Sequence, residues 1–138
     1  MLILDSYALL CLFEKKHLYE QNKIKQYLAD AEKGKVKLYM ARINEGEVFY
    51  RLYKYLGEPV AVGFRDDIKS GVIPVTVISV NDKRAERASE IKAKHPLSYA
   101  DAFCVELAED MGIPIVTGDA EFESVQHFVK VKWLVPKK

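Results

Sequence analysis

The sequence predicts an α/β fold, a central mainly parallel sheet sandwiched between helices. Short, wholly apolar runs such as Leu2-Ile3-Leu4 alternate with helix-length segments of amphipathic spacing, and most apolar runs end in a polar turn that opens the next helix. Strands that read apolar at every position are buried on both faces, and that burial needs helices above and below the sheet.

Taken in order, Met1–Leu4 is the first strand, and Asp5-Ser6 is its turn. A helix follows from about Tyr7 through Leu9, Leu10, Leu12 and Phe13. A second, marked by Leu18, Ile24, Tyr27, Leu28 and Ala31, closes at Gly34. Val36–Met40 is the second strand. Asn44 is placed to cap the third helix with Glu47 three residues on, and that helix runs through Val48, Phe49 and Leu52 to Gly57. A fourth helix is expected over about Pro59–Lys69. Val72–Val80 reads as a third strand, with Pro74 confining part of it to an edge or to irregular structure. Asn81-Asp82 open a fifth helix to about Lys94, where His95-Pro96 breaks the pattern. Ser98, with Asp101 as its capping-box partner, starts a sixth that ends at Gly112. Ile113–Thr117 is a buried strand ending at Gly118-Asp119. A helical turn near Glu121-Phe122 and a strand over about Phe128–Val131 complete the chain, which is expected to form one domain over residues 1–138.

A net charge of +1 excludes a polycation that binds nucleic acid by bulk attraction, so any such contact must use a local patch. Cys11 and Cys104 lack metal-ligand or Cys-x-x-Cys spacing and read as small buried hydrophobes suited to a reducing interior. No charged-then-apolar leader and no apolar run approaching about 18 residues is present, so the expected location is the cytoplasm, with no membrane contact.

Chemistry points to the acids. In a parallel sheet with right-handed crossovers, the C-terminal ends of the strands and the starts of the following helices share one edge. Asp5, Glu47, Asp101 and Asp119 all fall there. Gathered carboxylates repel unless cations neutralise them, and a set of oxygens without His or Cys suits a hard ion such as Mg²⁺ or Mn²⁺. Taken singly, Glu47 and Asp101 also read as capping partners, and Asp5 and Asp119 as turn residues. Asp82 also follows a strand, but one expected farther from the centre. Arg42, Arg51, Lys54, Arg65 and Lys69 are either a phosphate track beside this rim or a solvated helix face. Tyr50 and Tyr55 are candidates to stack on unpaired bases. Tyr53 shares helical spacing with Phe49 and Leu56, which favours the core, although Phe49 and Tyr53 also suit a dimer or partner surface. His17, His95 and His127 share no spacing and read as structural or solvated.

Four segments together, Leu4-Asp5-Ser6, Asn44-x-x-Glu47-Val48-x-Tyr50, Ser98-x-Ala100-Asp101-Ala102 and Thr117-Gly118-Asp119-x-x-Phe122, resemble the PIN domain family, most closely its VapC-type ribonuclease toxins. The resemblance spans the whole chain. It implies an α/β/α sandwich, cleavage of single-stranded RNA dependent on Mg²⁺ or Mn²⁺, a homodimer and a cognate antitoxin. Asp5, Glu47, Asp101 and Asp119 match the family's four acids, with catalytic and metal-binding roles. Glu45 lacks the Val-x-Tyr context that follows Glu47. Ser6 stands where the family usually has Thr, keeping a hydroxyl to orient Asp5 or contact phosphate. Tyr7 stands where a small residue is common, which bears on substrate fit. Glu121 is a loose match to an auxiliary ligand and is left outside the expected set. A non-toxin RNA-processing nuclease and a catalytically silent interaction module of the same fold remain open alternatives. A receiver or HAD-like phosphatase requires paired or Asp-x-Asp acids after the first strand, where this chain has Asp5-Ser6-Tyr7.

Overall fold

A computed structural model describes residues 1–135. The elements are β1 (Leu2–Leu4), α1 (Ser6–Leu10), a 3-10 turn (Cys11–Phe13), α2 (Leu18–Glu32), β2 (Leu38–Ala41), α3 (Arg42–Leu56), α4 (Glu58–Ser70), β3 (Val75–Ile78), α5 (Asp82–Lys94), α6 (Tyr99–Met111), β4 (Ile115–Thr117), a 3-10 turn (Ala120–Val125) and β5 (Val131–Trp133). All strand pairs are parallel, in the order β3-β2-β1-β4-β5.

Alternation along the strands divides the core in two. Leu2, Leu4, Leu38, Met40 and Val116 pack with α1 to α4 through Leu9, Ile24, Val48, Leu52 and Phe64. Ile3, Ala41 and Ile115 face the other way, against α5, α6 and the second 3-10 turn through Ile91, Cys104, Leu107 and Phe122. Neighbouring residues on one strand thus serve opposite layers, which is why the strands read as apolar at every position.

Connectivity positions the crevice. From β1 the chain moves outward through β2 to β3 with its helices on one face. It then returns to β4 and moves to β5 with its connections on the other. Right-handed crossovers require this change of face, and β1 and β4, adjacent but feeding opposite directions, form the switch point where parallel α/β sheets bind ligands. β3 lies outermost, so Asp82 is carried away from this point.

Several boundaries differ from the expected ones. The first helix changes to a 3-10 turn at Cys11. The third helix starts at Arg42, with extended Ala41 before it as an N-cap that offers no side-chain bond, and Asn44 is drawn instead into a bond between helices, its Nδ2 donating to Ala100 O at 3.0 Å. Pro74 delays β3 to Val75, and the strand is an edge strand. β5 begins at Val131 because Phe128 and Val129 still donate to Val125 O in a helical turn. Ser98 does cap α6, its Oγ accepting from Asp101 N at 3.1 Å, and Asn81 caps α5. α6 ends on Gly112, whose positive φ of 67° closes the helix. α5 and α6 are clamped by Arg84 to Glu106 and Asp110, each at 3.0 Å, and by Arg87 to Glu109 at 2.7 Å. Cys11 and Cys104 are both buried free thiols. Among the described residues, no helix is long and apolar enough to cross a membrane.

Candidate active site

Asp5 leaves the end of β1 fully buried and caps α1, its Oδ1 accepting from Ala8 N at 2.8 Å. Its Oδ2 accepts the hydroxyl of Thr117 from the neighbouring strand β4. Thr117 Oγ1 in turn accepts from Asp119 N at 3.0 Å, so one hydroxyl fixes the first acid and the turn carrying the last. Asp119 then caps the following 3-10 turn by accepting from Glu121 N at 2.9 Å. These local bonds are the turn chemistry expected of Asp5 and Asp119 singly, and they also aim both groups at the switch point.

Glu47, one turn into α3, accepts the Ser6 hydroxyl at its Oε1. Ser6 therefore orients Glu47 rather than Asp5. Glu45, two residues earlier, points elsewhere: it is 1% exposed and is held by Arg65, whose Nη2 lies 3.0 Å from its Oε1. Arg65 also stacks on Phe49, 3.6 Å from the ring centroid, so this residue is a packing element and not part of a phosphate track. Tyr53 is exposed on the outer side of α3 and donates to Glu58, which corrects its expected place in the core.

Asp101, in the first turn of α6, is the hub. It lines a cavity of about 200 Å³ with Ser6, Glu47, Arg51 and Ser98. On its other side, carboxylate oxygens of Asp101, Asp119 and Glu121 lie within 4.8 Å of one another. Glu121, left out of the expected set, thus joins it, while Asp5 stands near Asp101 and Asp119, and Glu47 near Asp101. The only signal for Glu121 in the sequence is its position two residues after Asp119, where a tight turn brings both to one point.

Crowding shows in the acidities. Burial raises the Asp5 carboxyl to about 8 against the Thr117 and Ala8 hydrogen bonds, and the charges of Asp101 and Asp119 raise it further. Burial likewise raises Asp101 to about 7, with Asp119 adding to the effect, Ser98 opposing it, and Glu47 and Glu121 contributing. Carboxyls pushed up by desolvation and like charge fit a site completed by a cation, and an all-oxygen donor set fits a hard one.

A second layer of polar residues stands behind this edge. Tyr7 donates its hydroxyl to buried Glu20 at 2.5 Å, and His17 bridges Glu20 and Glu14 at 3.1 and 3.2 Å. The Tyr7 ring lies against Gly118, where an added Cβ would stand 2.3 Å from Tyr7 Cε1. Any larger residue at 118 must displace the Tyr7 ring and the Glu20 carboxylate, whose Oε2 would stand 2.6 Å from the same Cβ. His95 and His127 pack with Phe128 in an aromatic cluster.

Fold and crevice together define a parallel α/β/α domain with acids gathered outside the carboxyl ends of its strands. The chain belongs to the PIN domain family, whose model matches residues 2–127. No curated protein sequence matches it. Among solved structures, Mycobacterium tuberculosis VapC20, described as a sarcin-ricin loop cleaving toxin, aligns with a TM-score of 0.76 at 21% identity, covering 96% of this chain and 99% of that one. The DNA-bound VapBC of Salmonella typhimurium aligns at 0.70 and 16% identity, covering 97% and 98%. PAE2754 from Pyrobaculum aerophilum aligns at 0.61 and 18% identity, covering 96% and 90%. At these identities the likeness is one of fold.

Proposed function

We propose that this chain, as one domain over residues 1–138, is a divalent-metal-dependent endoribonuclease that hydrolyses phosphodiester bonds of single-stranded RNA. We read it as the toxin of a toxin-antitoxin pair. The observation that carries the nuclease reading is the convergence of Asp5, Glu47, Asp101 and Asp119 from separate elements on one crevice, where Asp5 and Asp101 hold their protons well above the ordinary carboxylate range.

Asp101, Asp119 and Glu121 would hold the ion, with Asp5 and Glu47 flanking it. Bound Mg²⁺ or Mn²⁺ supplies charge neutralisation and Lewis acidity at the phosphate. Ser6 keeps Glu47 turned toward the cavity, and Thr117 keeps Asp5 from rotating away. The carboxylate of Glu47 would accept a proton from the attacking water as that water's oxygen bonds to phosphorus, while the phosphorus bond to the leaving ribose oxygen breaks and that oxygen takes up a proton from solvent, with buried Asp5 fixing the floor of the site. The buried setting strengthens each of these electrostatic contacts relative to water.

The toxin assignment is supported by neighbours that are VapBC and other toxin-antitoxin complexes, among them one from Klebsiella pneumoniae. On this reading the molecule is a cytoplasmic homodimer whose antitoxin covers the exposed aromatic side of α3, where Tyr50 and Tyr53 lie. Purified protein incubated with a labelled single-stranded RNA pool in Mg²⁺, Mn²⁺ or EDTA, beside Asp5→Asn, tests the activity. Metal-dependent cleavage lost in the variant is expected. Calorimetry that finds no Mn²⁺ binding, together with intact RNA, would sink the enzyme reading in favour of an interaction module. Growth that is unimpaired by expression of an active nuclease would favour RNA processing over toxicity.

A further inference from the structure

The arginines of this chain separate into two kinds. Arg42, Arg65, Arg84 and Arg87 each pair with a carboxylate. Arg51 makes no ion pair among the described residues, is exposed, and lines the same cavity as Ser6, Glu47 and Asp101. A lone cation in the wall of a carboxylate-lined cavity, left without a bond to any of those carboxylates, is available to an anionic ligand.

One helical turn further along α3, Tyr55 stands on the same face as Arg51, as the i, i+4 spacing requires, and is 69% exposed. It lines an adjoining recess of about 220 Å³ with Leu10, Phe13, Leu56 and Glu14, whose carboxylate is paired with His17, and Arg51 forms part of the wall of both spaces. The recess is smaller than the roughly 300 Å³ at which pockets for drug-sized molecules begin, which suits a single flat ring. Lys54 Nζ lies over the Tyr55 ring, 5.6 Å from its centroid. Leading away from the acids there is thus a cation, then a recess floored by Leu10, Phe13 and Leu56 with an exposed aromatic ring at Tyr55. That is the order in which a nucleotide presents phosphate and base.

We propose that Arg51 and Tyr55 form a nucleotide subsite for the RNA residue next to the cut: Arg51 holds its phosphate, and Tyr55 stacks on its unpaired base over Leu10, Phe13 and Leu56. The inference rests on the ribonuclease reading and adds to it a residue pair that sets base preference. Stacking on an aromatic ring tolerates every base but favours those with larger faces, so the subsite grades sequences rather than selecting one.

The test uses single-stranded RNA oligonucleotides carrying the fluorescent base 2-aminopurine at successive positions, titrated into Asp5→Asn protein with Mn²⁺ so that binding is followed without cleavage. Fluorescence is expected to be quenched at one position, and the quench to vanish in the added Tyr55→Ala variant and survive in Tyr55→Phe. Arg51→Gln is expected to lower the slope of log affinity against log salt by about one, whereas exposed Lys92→Ala on α5 leaves it unchanged. In the cleaving protein, Tyr55→Ala is expected to raise KM roughly fivefold to a hundredfold with kcat unchanged. RNA that is bound and cut with a quench and salt slope indifferent to both substitutions overturns the subsite and leaves the nuclease standing. RNA bound and quenched but never cut supports the subsite and overturns the nuclease. RNA neither bound nor cut by the wild-type protein overturns both.

Discussion

The Thr117 hydroxyl donates to Asp5 Oδ2 across the two strands of the switch point, and Thr117 Oγ1 itself accepts the amide of Asp119. Thr117→Val keeps the shape and removes both bonds. It is expected to destabilise the protein by about 1–3 kcal/mol in denaturant titrations, because a buried carboxyl and a backbone amide lose their partner. Cleavage should fall further than stability alone explains, since the first and last acids lose their common anchor.

Asp5→Asn should stabilise the protein in the absence of metal while abolishing cleavage. The native state holds the Asp5 proton up to about 8 and the unfolded chain releases it near its ordinary value of 3.8. The native state therefore binds more protons across that interval. The contribution of Asp5 to stability is complete below the unfolded value and lost as pH rises through the native one. Melting temperatures taken from pH 4 to 8 in EDTA should decline for the wild type, and less steeply for Asp5→Asn. A wild-type profile that rises over this range would contradict the burial argument.

Metal affinity should move the opposite way. Deprotonated carboxylates bind the ion, and Asp101 is held up to about 7, so Mn²⁺ affinity by calorimetry should increase from pH 6 to 8 with release of protons. Glu121→Gln should weaken it by about tenfold or more. Unchanged affinity in Glu121→Gln would remove that residue from the ligand set.

Glu45 and Glu47 stand two residues apart on α3 and should fail in different ways. Glu47→Gln is expected to fold normally and lose cleavage. Glu45→Gln leaves Arg65 without its buried partner and should lower stability by about 1–3 kcal/mol, with the remaining folded protein active. Denaturant midpoints measured beside cleavage rates distinguish the two.

Gly118→Ala drives a methyl group into the Tyr7 ring and should destabilise by about 1–3 kcal/mol. Tyr7→Ala empties that space, so the double variant should be more stable than the sum of the single effects predicts. A double-mutant cycle that closes additively would show that the ring is free to move aside.

The sheet and the acids after its strands were legible because burial on both faces and the common edge of parallel strands are properties of pattern. What escaped is what tertiary contact decides. Asn44 has the chemistry of a cap, but the approach of α6 diverts it to Ala100, and the helix begins without it. Tyr53 keeps helical spacing with Phe49, yet α4 covers only part of that face and leaves it in solvent. Glu121 is exposed and unremarkable in sequence, and it reaches the site only because Asp119 bends the chain back on itself. Arg65 is indistinguishable in sequence from its basic neighbours, and only the fold sets it against buried Glu45.

The fit of the Tyr7 ring against Gly118 makes the volumes at these two positions a single shared quantity. A chain with a small residue at position 7 loses both the ring and the hydroxyl that holds the Glu20 carboxylate over position 118, and a chain with a tyrosine there keeps both against the glycine. Substitutions at the first and last acidic motifs of related sequences should therefore be exchanged in pairs, even though the two positions lie 111 apart in the chain and neither residue bears a charge.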